Sequence, residues 1–250
     1  MYSTTLTVAL ATFAAQAEAF FGTAHLLVAR RAEAILEEQN PDVLQAALDE
    51  MKPLQKYYSS LTKDEGSHPF TECAPFADNI KGQGYSFQSG WHFINLPYLD
   101  EAGTTLDDFN FNQPDIDVVS AINDLVGFLK GEVSASQSTY LSQIADKFSY
   151  EEDQRSFALR LIVHYVGDVH QPEHATALVD SKYPKGDRGG NNEKIPSKNG
   201  VKTLHAVWDS VIYEWTGYPN LPLNSDDWSW YSSTSDELAG KFPVKESSIQ

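Results

Sequence analysis

SYEEDQRSFALRLIVHYVGDVHQPEH, residues 149–174, reads as one long helix over 149–171 followed by an exit, with reactive groups at its end. Glu151, Glu152 and Asp153 sit in its first turn, where carboxylates suit the positive end of the helix dipole. Pro172 cannot continue a helix and marks its end. Near that end, His164 and Asp168 are four apart and project from one face. Gly167 beside them permits another element to approach closely, and His174 falls just past the exit. Two ligands on one helical face with a third at the exit can build a metal site, and neutral imidazole with carboxylate suits zinc. Histidines near a helix end also cap carbonyls or pack, so this stretch alone leaves metal and structural roles open.

Other helices are read outward from this one. AHLLVARRAEAILEEQ (24–39) and NPDVLQAALDEMKPLQKYYSSL (40–61) carry apolar residues at helical spacing. In the second, Asn40 is an N-cap candidate, Pro41 suits the first helical position, and Pro53 predicts a kink or an end. QPDIDVVSAINDLVGFLKGE (113–132) and TYLSQIADKF (139–148) add two more helices. Few stretches alternate with period two, so the expected fold is mainly α, a single domain with long loops. The turn-rich run from Lys182 leaves room for one small hairpin before a helix near Leu204.

The 250 residues suffice for one domain with a sizeable core, and the 41% hydrophobic content is that of a globular chain. The formal charge of −17 excludes a protein that holds nucleic acid mainly through a basic surface. A polyanion would have to be held locally, for example by bound metal. Residues 1–19 read as an export signal: a short apolar run closes on Ala17-Glu18-Ala19, although MYSTT carries no Lys or Arg. That run is too short to span a bilayer, and no later segment is long and apolar enough to do so. The expected location is therefore secreted, or the lumen of a lysosome-like compartment. The single cysteine, Cys73, excludes an intramolecular disulfide and reads as a small buried apolar residue.

Partners for the opening cluster lie elsewhere in the chain. LHAVWDS gives His205 and Asp209, again four apart. GWHFINLPY gives His92 in an aromatic setting, CAPFADNIK gives Asp78, and FFGTAHLLVA gives His25. Each has an ordinary structural alternative: a cap, a core histidine or a surface pair. His68 reads as a surface loop residue and His170 as a residue supporting or packing beside the ligands.

The blocks FFGTAH, FADNIK, WHFIN, VHYVGDVHQPEH, GDRGGN and LHAVWD, in this order from about residue 20 to 209, resemble the zinc-dependent single-strand nucleases and 3′-nucleotidases of fungi and plants. That family shares a helical fold with bacterial zinc phospholipase C. The resemblance implies three Zn²⁺ ions: one on Asp78, His92, His164 and Asp168; one on Asp168, His25 and the N-terminal residue, here Phe20; one on His174, His205 and Asp209. The family begins its mature chain with Trp, whose backbone amine and carbonyl are ligands, so Phe20 changes the side chain and not the ligating atoms. The N-terminal ligand would then arise only on cleavage after Ala19, and residues 20–250 form the expected nuclease domain.

The resemblance further implies hydrolysis of single-stranded DNA and RNA, and of 3′-nucleotides, leaving 5′-phosphates on nucleic acid products. Asp78 would orient the attacking water or take its proton. Lys81, at the position of a family Arg, would stabilise the phosphoryl charge as a point charge without the planar fork. Phe93 would stack on a base, and Asn95, in place of a family Asp, would bond it. Asn191, followed by the extra Asn192, would stand at the cleft rim. No stable protein partner is implied. Family members extend several helices beyond the last motif, whereas DELAGKFPVKESSIQ does not read as a finished domain, so the expected domain lacks its C-terminal helices. Two alternatives remain: a zinc phospholipase C on the same metal core, and a zinc-binding fragment without turnover.

Overall fold

The computed structural model describes residues 20–243, so the expected export signal at residues 1–19 lies outside the described residues. The chain is mainly α. Helices α1 (Gly22–Gln39) and α2 (Pro41–Tyr57) are followed by two single turns, Pro69–Glu72 and Phe76–Asn79. Then come α3 (Val118–Leu129), α4 (Thr139–Ala145), α5 (Glu151–Asp168), α6 (Leu204–Asp209) and α7 (Ser225–Lys241). Among the described residues, no helix is long and apolar enough to cross a membrane.

Helix α5 runs through the centre and packs on α2 and α3. Phe157, Leu161 and Tyr165 on it are buried with Trp91, Leu125, Leu141 and Phe148 in the main core. The same helix buries Ser156, Arg160, His164 and Asp168, and buried polar groups must find partners. Arg160 does so in a bidentate pair with Glu65 (2.5 and 2.7 Å) and on the Met51 carbonyl (3.1 Å). The apolar end of α5 thus anchors the helix, and its C-terminal turn carries His164 and Asp168 into a polar interior.

Helix α2 passes Pro53 without ending there and stops at Tyr57. The ring removes one N–H from the ladder, but Met51 and Leu54 on either side are wholly buried, and this packing holds the helix together. Asn40 precedes α2 without a side-chain cap bond. Helix α7 includes the DELAGK segment and packs on α1, with Asn224 capping it at the amides of Asp226 and Asp227 (both 2.9 Å). His68 is half-buried, its ring stacked 3.4 Å from Trp228, which corrects its reading as a surface residue. Cys73 is buried and unpaired with any thiol.

Two small sheets complete the fold. Strands β3 (Lys194–Lys198) and β4 (Val201–Thr203) form the antiparallel hairpin. Strand β1 (Leu96–Leu99) pairs in parallel with β2 (Thr176–Val179), with Leu96 opposite Thr176. This second pair positions the site. The Ile94 amide donates to the His174 carbonyl (2.8 Å), and His174 Nδ1 bonds the His92 carbonyl (2.7 Å). The segment after His92 is thereby tied to the segment after His174.

Candidate metal centre

Five of the singled-out side chains converge where α5 ends. Asp168 Oδ2 lies 2.7 Å from His92 Nδ1 and 3.3 Å from His164 Nε2. Its Oδ1 lies 3.3 Å from His25 Nε2. Asp78 stands 3.6 Å from His164 Nε2 and 3.8 Å from His92 Nδ1. The His25 and His164 rings stack at 4.1 Å. Gly167 makes this approach possible, because a Cβ there would come within 2.6 Å of His25 Nδ1. Gly167→Ala should therefore push α1 off α5, destabilise the fold by about 1–3 kcal/mol and loosen metal held by His25; thermal unfolding and metal titration read the two effects. A variant indistinguishable from the parent in both would show that the contact has slack.

A second group lies close by, joined to the first where His174 Nδ1 bonds the His92 carbonyl. His174, His205 and Asp209 are all buried, with His205 Nε2 3.5 Å from Asp209 Oδ1. The His174 and His205 rings stack at 5.0 Å, and Phe93 stacks on His174 at 4.2 Å. The Phe21 amide donates to the Asp209 carbonyl (2.8 Å), while the Phe20 ring lies 6.2 Å from His25. The start of α1 thus touches both groups.

Hydrogen bonds on the outer ring nitrogens fix which lone pairs point inward. His164 Nδ1 bonds the Ala74 carbonyl (2.6 Å), and His205 Nδ1 bonds the Gly189 carbonyl (2.6 Å). With Nδ1 protonated, each of these rings, like His174, presents the Nε2 lone pair to its group. His92 is reversed. Its Nε2 donates to Gln88 Oε1 (2.7 Å), which also accepts from the Tyr165 hydroxyl (2.6 Å), while Gln88 Nε2 holds the Ala77 carbonyl (2.7 Å). His92 therefore presents Nδ1.

A neutral His92 Nδ1 and the Asp168 carboxylate are then two acceptors 2.7 Å apart. Burial, reinforced by Lys81, depresses the His92 pKa to about 4, so the ring does not readily supply a proton of its own. Asp168 is held well below the ordinary carboxylate range: burial opposes its charge, but His164 and His92 outweigh it. Burial depresses His174 to about 3. Of His25, His92, His164 and His174, His164 is the one that moves up, because Asp168 and Asp78 overcome its burial. His25 Nδ1 and Nε2, Asp168 Oδ1 and His174 Nε2 are buried without a hydrogen-bond partner. Converging lone pairs with orphaned atoms need cations, and a set of imidazoles and carboxylates without thiolate fits zinc.

A family model described as S1/P1 Nuclease matches residues 21–248. The chain belongs to that family. It is 33% identical to Endonuclease 4 of Arabidopsis thaliana over 109 residues, 37% of this chain and 34% of the relative. It is 24% identical to Endonuclease 2 of the same plant over 172 residues, 69% of this chain and 52% of the relative. Endonuclease 3 is 42% identical over 57 residues, 23% of this chain and 17% of the relative. The chain thus spans about half or less of the curated relatives it matches.

Around the two groups, the structure adds residues that sequence reasoning missed. Gln88 and Tyr165 orient His92. Gln171 Nε2 donates to Asp209 Oδ1 (2.7 Å), and its Oε1 accepts the Glu173 amide (2.5 Å). Asp187 accepts the amides of Leu178 (3.0 Å) and Gly190 (2.9 Å). That tightens the GDRGG loop so that Gly189 can hold His205. His170 takes no part: it is exposed and bonds the Val166 carbonyl (2.6 Å), a helix-end contact. Gln88→Leu should cost about 10–100-fold in metal affinity, as loss of an outer partner of a ligating imidazole does. Competition with a chelator measures it, and an unchanged affinity would show that packing alone fixes the His92 ring.

Lys81 is buried with its Nζ 2.6 Å from Asp78 Oδ1, which rules out a solvated loop charge. Beside it opens a cleft of about 380 Å³ lined by Lys81, Phe93, Asn95, Lys185, Arg188 and Asn191 among others. Asn192 does not line it. The cleft wall includes three cations and no carboxylate, in a chain with 35 acidic and 18 basic residues.

Proposed function

We propose that this protein is a zinc-dependent phosphodiesterase that cuts single-stranded DNA and RNA to 5′-phosphate products and removes the phosphate of 3′-nucleotides. The observation that carries the proposal is the juxtaposition of this acid-free, cationic cleft with the convergent imidazoles and carboxylates. Bound to Asp78, His92, His164, Asp168, His25 and the Phe20 backbone, and to His174, His205 and Asp209, three zinc ions would supply Lewis acidity to the phosphoryl oxygens and to a water nucleophile.

The protein's own groups divide the remaining work. Burial opposes the charge on Asp78, but His164, Lys81 and His92 hold its pKa at about 2. A carboxylate that acidic is a weak base, so Asp78 orients the attacking water by accepting its hydrogen bond. Lys81 sits beside it, close enough to meet negative charge on a phosphoryl oxygen. Phe93, fixed by its stack on His174, offers a face to an unpaired base, and Asn95 and Asn191 offer donors and acceptors to base edges. An amide-and-cation lining suits a nucleotide better than the acyl chains of a phospholipid, and this favours nuclease over phospholipase C.

The test compares a chain beginning at Phe20 with the same chain carrying one extra N-terminal residue. Zinc per chain is measured, together with release of 5′-nucleotides from single-stranded DNA, 3′-nucleotide hydrolysis and phospholipid hydrolysis. The expected result is about one more zinc in the first form, with most of the activity on nucleic acid. Equal zinc in both forms with no turnover of any substrate would withdraw the enzyme reading. Residues 1–19 would then not act as a removable export signal that exposes a ligand.

A further inference from the structure

Beyond the metal groups and Lys81, the cleft has a second cationic pole that the mechanism leaves unused. Lys185 and Arg188 both stand on the loop after β2, both line the cleft, and both are exposed. Neither side chain makes an ion pair or hydrogen bond among the described residues. Both charges are therefore available to an anion in the cleft.

The loop that presents them is built rather than slack. Asp187 is buried and binds four backbone groups: its carboxylate takes the amides of Leu178 and Gly190, its own amide donates to the Leu178 carbonyl (3.0 Å), and its carbonyl accepts the Asn192 amide (3.0 Å). Arg188 lies at φ 62°, a left-handed conformation that arginine adopts only under constraint. Its carbonyl is held by the Asn191 amide (3.3 Å) and side chain (3.0 Å). Gly186 lies at φ 86°, and a Cβ there would come within 3.1 Å of Phe111. The loop therefore fixes where the Arg188 side chain leaves the backbone, and it does so at the rim of the cleft.

We propose that Lys185 and Arg188 bind the phosphate next to the one that is cut, so that the cleft selects a strand over a mononucleotide. This rests on the nuclease reading above and adds a specificity determinant to it. Lys81 is buried beside Asp78 and meets the reacting phosphoryl group; the rim pair, on a different element and exposed, meets the chain as it enters or leaves. Arg188 brings a planar fork for two phosphoryl oxygens and Lys185 a mobile point charge.

The experiment uses the full chain and the double variant Lys185→Gln, Arg188→Asn. Asparagine tolerates the left-handed backbone, so the charge is removed without new strain. A fluorescent single-stranded phosphorothioate 9-mer reads binding at several salt concentrations. Hydrolysis is followed on a normal 9-mer and on a nucleoside 3′-monophosphate. The dissociation constant for the 9-mer should rise by about ten-fold or more. The slope of log affinity against log salt should become shallower by about 0.7, since each phosphate neutralised on a single strand contributes about 0.7. The rise in KM should be at least five-fold larger for the 9-mer than for the mononucleotide, with Arg188→Lys recovering most of it. Equal losses on both substrates, or an unchanged affinity and salt slope, would overturn the proposal. A parent chain that binds the 9-mer through these residues but cuts nothing would sink the nuclease reading, and would overturn the assignment beside a cut phosphate while leaving the rim pair as a strand-binding site. A parent that cuts well and a variant that binds as tightly would overturn this inference and leave the nuclease reading standing.

Discussion

Asp168→Asn is expected to remove metal from the larger group and to lower kcat/KM on single-stranded DNA by well over a hundred-fold. The figure follows from position. Asp168 contacts His25, His92 and His164 within 3.3 Å, more of the candidate ligands than any other residue there. Disturbing a mere outer partner of a ligand costs about 10–100-fold, and a shared central carboxylate must cost more. Asparagine keeps the shape but removes the charge and turns an N–H₂ toward rings whose lone pairs already face inward. Metal per chain and turnover are measured together. The His174 group has its own carboxylate, Asp209, held by Gln171, so it should keep its metal. A variant with full metal and full activity would mean that Asp168 is structural.

The long helix α5 is legible in the sequence because its acidic first turn and Pro172 bracket an uninterrupted run free of proline. The ligand candidates are legible because imidazoles beside acids at four-residue spacing are rare by composition. What the sequence hides is non-local or chemically ordinary. Strands β1 and β2 lie 80 residues apart, show no alternation, and acquire their meaning only from pairing. Gln88 and Tyr165 look like any other polar and aromatic residue; only the Nδ1 presentation of His92 reveals their work. The cationic rim was hidden by the overall acidic balance, since net charge averages over a surface whose cleft has the opposite sign. Helix α2 does not end at Pro53 and His68 is half-buried for one reason: packing outweighs local propensity, on the α2 core in one case and on Trp228 in the other.

Acid should unfold the metal-stripped protein well before it affects an ordinary helical domain. An unfolded histidine titrates near its usual value of 6.5, whereas burial holds His92 at about 4 and His174 at about 3 in the folded chain. Between those limits the unfolded chain binds more protons, so stability falls as pH falls. The loss begins near pH 6.5 and is complete near pH 4 for His92 and near pH 3 for His174. Each contributes on the order of 3 kcal/mol. His25 is also lowered, chiefly by burial, and adds to the loss. Asp78 adds a further loss only below its unfolded value of 3.8, toward pH 2. His164 works in the opposite direction: its raised pKa stabilises the protonated folded form and offsets part of the total. The net effect between pH 6.5 and 4 is several kcal/mol, or a fall in midpoint of roughly 10 °C for a chain of this size. Thermal unfolding of the chelated chain from pH 7.5 to 4 measures it. A flat midpoint across that range would mean that water or a rearranged cluster solvates these rings without metal. His174→Gln distinguishes the sources, because it removes the titrating group and should flatten the lower part of the curve. Zinc at pH 7.5 should raise the midpoint by binding only the folded chain, and acid should erase that gain as protons displace metal from the imidazoles. The same lone pairs that suit the site to metal make the metal-stripped protein sensitive to acid.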